Sequence, residues 1–355
     1  MCVFFYVERY VIIHINLFTF VKNIGLKRRY KILLNYIIGP VLFLVLSFSI
    51  YKKIKAQENL PETWSVLKES LYEQWPLLLL MIALMIVNWT FEAKKWQILI
   101  SPVQRVSLFK GFKAVLSGLS FGLFIPNGMG EYLGRMLYLN EGNRLKSIAV
   151  SFMGSLSQLL ITLITGVLGL YYLMFVKDIN VAGATGLSFI WFKALLYAVF
   201  IAIAFFLFLY FKIGWVSGFF QNIPFVYKHR FLIEALKTFD TPTLFKVLFV
   251  SLLRFSVFVL QYLLMFYLFK VEIALASAIS SICVMFLLIA IVPTIPIAEL
   301  GVRGEISLII FGMLSTNTIG ILSATVLIWL INLIAPAMIG SLFVLSVKVF
   351  KKNGS

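Results

Sequence analysis

The chain has 355 residues, of which 61% are hydrophobic and 13% charged, with a formal net charge of +17 and a mean hydropathy of +1.00. Soluble domains are about 45–50% apolar and about 25% charged, so this composition excludes an ordinary soluble protein. The excess of Lys and Arg then indicates topology in a membrane, because the basic residues lie between long apolar runs.

The apolar runs predict an all-α polytopic membrane protein. Crossing the hydrocarbon core takes about 20 apolar residues in a helix, since only internal hydrogen bonds can satisfy the backbone there. After an N-terminal interfacial or cytoplasmic segment at 1–30, we expect a single transmembrane domain at 31–350. Its six predicted spans are residues 32–50, 76–91, 147–176, 188–211, 244–269 and 318–347. Two further stretches, 108–139 and 272–313, are interrupted by Pro, Gly and charges at their centres, which predicts re-entrant broken-helix hairpins.

The centres of the two interrupted stretches resemble each other. Glu131 and Arg135 in the first recur as Glu299 and Arg303 in the second, each 168 residues later. The same shift relates two spans on either side of the first stretch to two spans around the second. We therefore predict an internal duplication, with halves at about residues 76–180 and 244–348.

The distribution of basic residues predicts how the chain is threaded, because Lys and Arg concentrate in cytoplasmic loops. With a cytoplasmic N-terminus, 21 of the 31 basic residues lie inside, seven lie outside, and Arg135, Arg254 and Arg303 lie at membrane depth. Three spans separate the hairpins, so the hairpins enter from opposite faces and the repeat is inverted, which is a plan typical of transporters. We expect both termini to be cytoplasmic, in the inner membrane. Juxtamembrane anchors on anionic lipid are predicted at Lys27, Arg28, Arg29, Lys94 and Lys95.

Charged side chains at bilayer depth cost at least a few kcal/mol and need a partner or a wet surrounding. The predicted site for a lipid head group consists of Arg135, Arg303, Arg254, Glu131, Glu299 and Glu305. Arginine forks would hold a phosphate, and the glutamates would position them or exchange protons. Alternatively, the two Glu–Arg pairs are i,i+4 ion pairs that only fix the hairpin tips. Arg254 either faces the same site, snorkels, or pairs with Glu299 or Glu305.

The predicted hairpin tips are Pro126, Gly128, Gly130, Pro296 and Gly301. Each proline can end one half-helix and begin the next, which leaves free N–H groups suited to an anion, or it can simply form a turn. Nearby, Gly118-Leu-Ser-Phe-Gly122 matches both a nucleophile-elbow pattern and G-x-x-x-G. A nucleophile elbow needs a strand-to-helix turn and a partnered His, so we predict close helix packing. Asn88, Gln158 and Asn332 are predicted to form interhelical hydrogen bonds.

The second centre, residues 293–305 with the sequence Pro-Thr-Ile-Pro-Ile-Ala-Glu-Leu-Gly-Val-Arg-Gly-Glu, resembles the signature of the lysylphosphatidylglycerol synthase transmembrane-domain, or flippase-like, family. The first centre, residues 126–135, is similar to its upstream motif, and the resemblance covers about residues 30–350. It implies a membrane domain that moves aminoacylated or other anionic lipids between leaflets. Full-length synthases add a soluble aminoacyl-transferase domain, which we do not expect here. Where the family pattern usually has a glycine pair, this chain has Ala298-Glu299, so its second tip is bulkier and more acidic.

We therefore predict a flippase or exporter of an anionic lipid that is not an enzyme, with no cofactor and no metal. The two Cys and two His do not occur as closely spaced pairs, so we expect no zinc cluster of the usual four-ligand kind. The expected partners are membrane phospholipids or other anionic lipids, not nucleic acid. Two alternatives stay open: a membrane-embedded transferase acting on a polyprenyl-phosphate or phospholipid, and a membrane subunit for a separately encoded lipid-modifying enzyme.

Overall fold

A computed structural model describes residues 72–124, 129–179, 189–213, 236, 238–292 and 296–345. Every regular element within these ranges is helical. The N-terminal segment 1–30, the predicted span 32–50 and the predicted tip residues Pro126 and Gly128 lie outside the described residues. The domain boundary at residue 30 stays a prediction.

Ten α-helices follow one another along the described chain. They are α1 (Trp75–Ile100), α2 (Leu108–Phe124), α3 (Met129–Met136), α4 (Arg144–Tyr171), α5 (Phe189–Phe211), α6 (Thr241–Leu268), α7 (Leu275–Ile291), α8 (Pro296–Phe311), α9 (Thr318–Trp329) and α10 (Ala335–Leu345). A π-helical turn at Tyr172–Val176 extends α4, and another at Leu330–Ile334 joins α9 to α10.

Among the described residues, four helical runs are long and apolar enough to cross a membrane: Trp75–Ile100, Glu141–Val176, Thr241–Leu268 and Thr318–Val344. Their positions agree with the predicted spans at 76–91, 147–176, 244–269 and 318–347. The first of them continues nine residues beyond the predicted end at 91, and this extension carries Glu92 and Lys95. The predicted span at 188–211 coincides with α5, which includes the apolar helical stretch Leu196–Phe211. The total number of spans stays a prediction.

The first interrupted stretch folds as two antiparallel helices in backbone contact. Gly118 of α2 faces the backbone of Glu131, while Gly130 faces Phe121 and Gly134 faces Gly118, so residue numbers fall on α2 as they rise on α3. A Cβ atom at Gly118 would lie 2.5 Å from the Glu131 carbonyl oxygen. Only glycine permits this approach, which confirms the packing role predicted for the G-x-x-x-G motif.

The second interrupted stretch also reverses direction. The hydroxyl of Ser307 on α8 lies 3.3 Å from Met285 Sδ on α7 and donates to it. In one continuous helix, residues that far apart in sequence would be separated by about 33 Å. The second helix begins at Pro296, a residue favoured in the first turn because it lacks an N–H. Whether either pair is re-entrant in a bilayer stays a prediction.

Two long helices from the two predicted halves, α1 and α6, lie antiparallel. Asn88 Nδ2 donates to the Arg254 carbonyl over 3.3 Å, and Gln261 Nε2 donates to the Met81 carbonyl over 3.3 Å. The two residue numbers add up to 342 in each pair, which is the signature of an antiparallel register.

Two further helix pairs approach closely at glycines. On α4, Gly169 faces Ser280 and Cys283 of α7, and on α10, Gly340 faces the backbone of Leu116 on α2. Each of these contacts joins one predicted half to the other. The core of the described bundle is therefore built from helices of both halves.

Helix ends in the described chain are fixed by polar caps. Asp240 accepts from the Thr243 N–H over 3.3 Å at the start of α6, and Asn317 Oδ1 accepts from the Gly320 N–H over 2.8 Å at the start of α9. At the end of α6, Lys270 adopts a φ of 52°, and Val271 N–H donates to the Phe266 carbonyl over 2.8 Å. This is a Schellman ending in which a lysine stands where glycine is preferred.

Candidate functional site

A buried carboxylate, that of Glu92 on α1, forms ion pairs with three cationic side chains. Its Oε2 lies 2.6 Å from Lys95 Nζ and 3.0 Å from Arg254 Nη1, and its Oε1 lies 3.0 Å from Arg135 Nη2. The side chains of Glu92, Lys95 and Arg135 are 6%, 2% and 4% exposed. Such buried ions need this mutual pairing, because each loses its hydration on burial.

Three helices bring the cluster together. Lys95 lies one turn after Glu92 on α1, Arg135 lies in the last turn of α3, and Arg254 lies at the middle of α6. The backbone contact between α2 and α3 fixes where Arg135 points. A cation is also favoured at that position, since the C-terminal end of a helix carries partial negative charge.

Glu131 links the cluster to the surface. Its Oε2 accepts a hydrogen bond from Arg135 Nη2 over 3.3 Å, and its side chain is 40% exposed. One turn of α3 separates the two residues, as the sequence predicts for an i,i+4 pair. Arg135 thus contacts two carboxylates: buried Glu92, and Glu131 at the solvent-exposed edge of the cluster, which we call the rim.

Arg254 is held by polar and aromatic groups as well as by Glu92. Its Nε donates to Asn88 Oδ1 over 3.1 Å and its Nη1 donates to Gln158 Oε1 over 3.4 Å. The guanidinium carbon lies 5.0 Å from the centre of the Trp89 ring and 5.5 Å from that of Phe258, within cation–π range. A side chain with this many partners is preorganised and held within the bundle.

Arg303 and Glu299 form a second, separate pair. Arg303 Nη2 donates to Glu299 Oε1 over 2.8 Å, with the two side chains 15% and 25% exposed. The hydroxyl of Tyr262 on α6 lies beside the Arg303 guanidinium. Tyr262 is eight residues beyond Arg254 on the same helix, a rise of about 12 Å. Within the described chain, no ion pair joins this pair to the Glu92 cluster.

The structure therefore divides the predicted site residues. It brings Arg135, Arg254 and Glu131 together, and it places Arg303 and Glu299 elsewhere. Arg254 pairs with Glu92, whereas Glu299 pairs with Arg303, so the alternative that paired Arg254 with Glu299 is wrong. Of the predicted tip residues, Gly130 makes backbone contact with α2, Pro296 begins α8, and Gly301 is buried within α8.

Two residues of the cluster, Glu92 and Lys95, were not predicted from the sequence to belong to the site. Glu92 lay beyond the predicted end of its span, and Lys95 was assigned to a juxtamembrane anchor, which is wrong because its side chain is buried on Glu92. The signal in the sequence is the i,i+3 spacing of Glu92 and Lys95, which allows the two side chains to pair on one face of a helix. Glu92 is also the sole acidic residue of α1. As predicted, Asn88 and Gln158 bond between helices through their side chains. Asn332 also takes part in an interhelical bond, because its backbone carbonyl accepts from Trp89 Nε1 on α1 over 3.2 Å, while its side-chain amide donates to Ile328 of its own helical run.

The two predicted halves differ at this site. A shift of 168 residues relates Glu92 to Leu260 and relates Arg254 to Ile86. Leu260 is 43% exposed and Ile86 is 49% exposed, both on the outside of the bundle. The charged cluster consequently has no counterpart in the other half at these positions.

Across the residues for which coordinates are described, no group of three His, Cys, Asp or Glu side chains could hold a metal ion. The site's chemistry is that of charged donors: three cationic groups that can hold an oxyanion, with two carboxylates against them.

Long apolar helices around a buried ionic cluster define a multi-pass helical membrane protein with a polar site in its interior. The chain belongs to the family described as "Lysylphosphatidylglycerol synthase TM region", whose model matches residues 33–340. The resemblance seen in the two motifs is thereby confirmed. No curated protein matched the chain.

Proposed function

We propose that this protein moves an anionic lipid between the two leaflets of the membrane. The observation that carries the proposal is the cluster of Lys95, Arg135 and Arg254 around Glu92, buried among apolar helices. Ionisable groups at such positions normally serve a substrate or ion pathway, because they are costly to maintain. The family is one of lipid-related membrane domains, which agrees in kind with a lipid as the substrate.

The charge balance favours an anion. Lys95, Arg135 and Arg254 bring three positive charges, and Glu92 with Glu131 brings two negative ones. The remaining positive charge attracts the phosphate of a lipid, and arginine is suited to it because its planar fork binds two oxygens at once. The acyl chains would stay in the bilayer while the head group enters the site.

Alternating access through an inverted repeat is the motion that we propose. The antiparallel register of α1 and α6 supports it, because the sum of 342 pairs position 87 with position 255, which is 168 residues later. A two-fold axis between positions 87 and 255 would relate the two predicted halves of the chain. The contact of Gly169 with α7 would then recur as the contact of Gly340 with α2, and the observed partners agree with this expectation to within about four residues.

The second pair, Arg303 with Glu299, has a related role in this proposal. It lies about two turns of α6 away from the cluster, so it can receive the head group at another stage of its passage. Glu299 and Glu305 would orient the arginine or take up protons. This role and the head-group site at Arg135 rest on the residues' chemistry and burial.

We place the protein in the cytoplasmic membrane with both termini inside, on the distribution of its basic residues. Its partners would be phospholipids or other anionic lipids, and a separately encoded lipid-modifying enzyme is a further candidate. We propose transport without covalent change to the lipid. The transferase alternative predicts a product of different mass.

Reconstitution tests the proposal directly. The purified protein would be placed in vesicles with a fluorescent anionic phospholipid, and transbilayer movement would be followed by quenching of the outer leaflet. Arg135→Gln should abolish movement, while Arg144→Gln should not, because Arg144 lies away from the cluster, where it pairs with exposed Glu141 at 3.8 Å and donates to the Leu139 carbonyl. Movement that survives the combined loss of Arg135 and Arg303 would refute the head-group role, and mass spectrometry of the recovered lipid would reveal chemical conversion.

A further inference from the structure

The carboxylate of Glu92 resembles a phosphodiester in its single negative charge and in the two oxygens that share it. One of its oxygens contacts Arg135, and the other contacts both Lys95 and Arg254, at 2.6–3.0 Å. A phosphodiester likewise carries one negative charge and two non-bridging oxygens. Three cations converging on one such group are the usual surroundings of a bound phosphate.

The cations retain binding capacity that Glu92 does not use. Arg135 is buried, yet its Nε has no hydrogen-bond partner among the residues that the structure describes. A buried donor without an acceptor is costly, and an incoming oxygen would relieve that cost. The exposed side chain of Glu131 and the 13% exposure of Arg254 mark the side from which a ligand can reach the cluster.

We infer that Glu92 is a resident counter-ion which a lipid phosphodiester displaces from Arg135 and Arg254. This inference rests on the proposed function and names its substrate class. The displaced carboxylate stays with Lys95, its neighbour one turn along α1, at 2.6 Å in the resting state. The two arginines then hold the phosphate, with Glu131 at the rim.

The charge count selects the diester over the monoester. Lys95 and Glu92 neutralise each other, and Arg135 and Arg254 balance Glu131 together with one phosphodiester charge. A phosphomonoester carries about −1.5 to −2 at neutral pH and would leave the buried cluster negative. The neighbouring Arg303–Glu299 pair is already neutral in itself, so the inference assigns the diester to the Glu92 cluster.

Binding to the full-length purified protein in a non-ionic detergent provides the test. The probes are dihexanoyl phosphatidylglycerol as the diester, dihexanoyl phosphatidic acid as the monoester, and inorganic phosphate. The wild type should prefer the diester to the monoester. Glu92→Gln removes the competing charge, so it should bind the diester about tenfold more tightly and should favour the monoester over it.

Two further variants keep the inference testable if the Glu92→Gln protein does not fold. Glu131→Gln makes the same change of charge at the exposed rim, so it should shift the preference in the same direction. Glu272→Gln, in the exposed connection between α6 and α7, is the matched control and should leave all affinities unchanged. Folding of each variant would be verified by its thermal unfolding.

Several results would overturn the inference. Wild-type protein that prefers the monoester would contradict the charge count, and unchanged diester affinity in folded Glu92→Gln and Glu131→Gln would contradict displacement. Inorganic phosphate that competes as well as the lipid would assign the site to free phosphate. Failure of the proposed function is distinguishable, because vesicles without lipid movement would refute transport even where diester binding follows the expected order.

Discussion

A methyl group added at Gly118 should destabilise the protein, whereas the same change one turn away should not. The Cβ of Gly118→Ala would lie 2.5 Å from the Glu131 carbonyl oxygen and 3.1 Å from its Cα. Ordinary contact begins at 3.4 Å, so α3 must move by 0.9 Å relative to α2. Both obstructing atoms belong to the backbone, so no side-chain rotation relieves the clash, and overpacking of this kind costs about 1–3 kcal/mol.

Gly122→Ala is the matched control. Its Cβ would lie 3.4 Å from Glu131 Cγ, an ordinary contact with a flexible side chain. Both variants gain about 0.5–1 kcal/mol from replacing a helical glycine, so their difference isolates the backbone clash. Because Arg135 follows Glu131 by one turn, the shift should also lengthen the 3.0 Å contact between Arg135 and Glu92.

Unfolding of the detergent-solubilised protein by heat and by denaturant would measure this difference. We expect Gly118→Ala to unfold at a lower temperature than Gly122→Ala and to lose lipid movement in vesicles. Equal stability of the two variants would refute the reasoning, because it would show that α2 and α3 are not in backbone contact.

Three further predictions concern helix ends. Hydrogen bonds from the Thr243 side chain and then from its backbone N–H hold the pKa of Asp240 below its ordinary value, so the charged carboxylate stabilises the fold above about pH 4 and this contribution fades as pH falls. Asp240→Asn keeps the cap without titrating; its stability relative to wild type should rise as pH falls, and a pH-independent difference would contradict this. Lys270→Gly should stabilise by about 1 kcal/mol because it relieves a φ of 52°, while Lys270→Ala keeps the strain and should not, as thermal unfolding would show. Asn317→Ala should cost about 0.5–2 kcal/mol in denaturant titrations through loss of the Gly320 cap, and Asn317→Asp should retain most of it; equal losses would assign the effect to the donor bonds of Asn317 to Phe269 and Lys270.

The long helices could be predicted because their apolar length is a local property. Residues 244–269 and 147–176 were predicted within a few residues of their observed helical runs. The end of α1 could not be predicted in this way, because Glu92, Lys94 and Lys95 look like the start of an aqueous loop. Tertiary pairing with Arg135 and Arg254 keeps two of these charges inside the helix bundle.

The candidate site was predictable in its residue types and only partly in its arrangement. The motif at Glu131 and Arg135 indicated a charged centre, and Arg254 stood out at the middle of an apolar span. Their common partner lies 43 residues before Arg135 and belongs to no motif. The apolar stretches and their Pro and Gly interruptions predict that the arginines of both halves meet in one site. The packing against α6 shows instead that Arg254 and Arg303 lie about two helical turns apart.

The chemical difference between the halves has an energetic consequence. If the halves were alike, exchanging their conformations would yield two end states of equal free energy. Under the predicted 168-residue repeat, Glu92 and Arg254 correspond to Leu260 and Ile86, so the exchange would not regenerate the ion pair between Glu92 and Arg254. In the proposed alternating-access cycle the two end states would therefore differ in free energy, and the lipid would have to supply the free energy that makes the less stable one accessible.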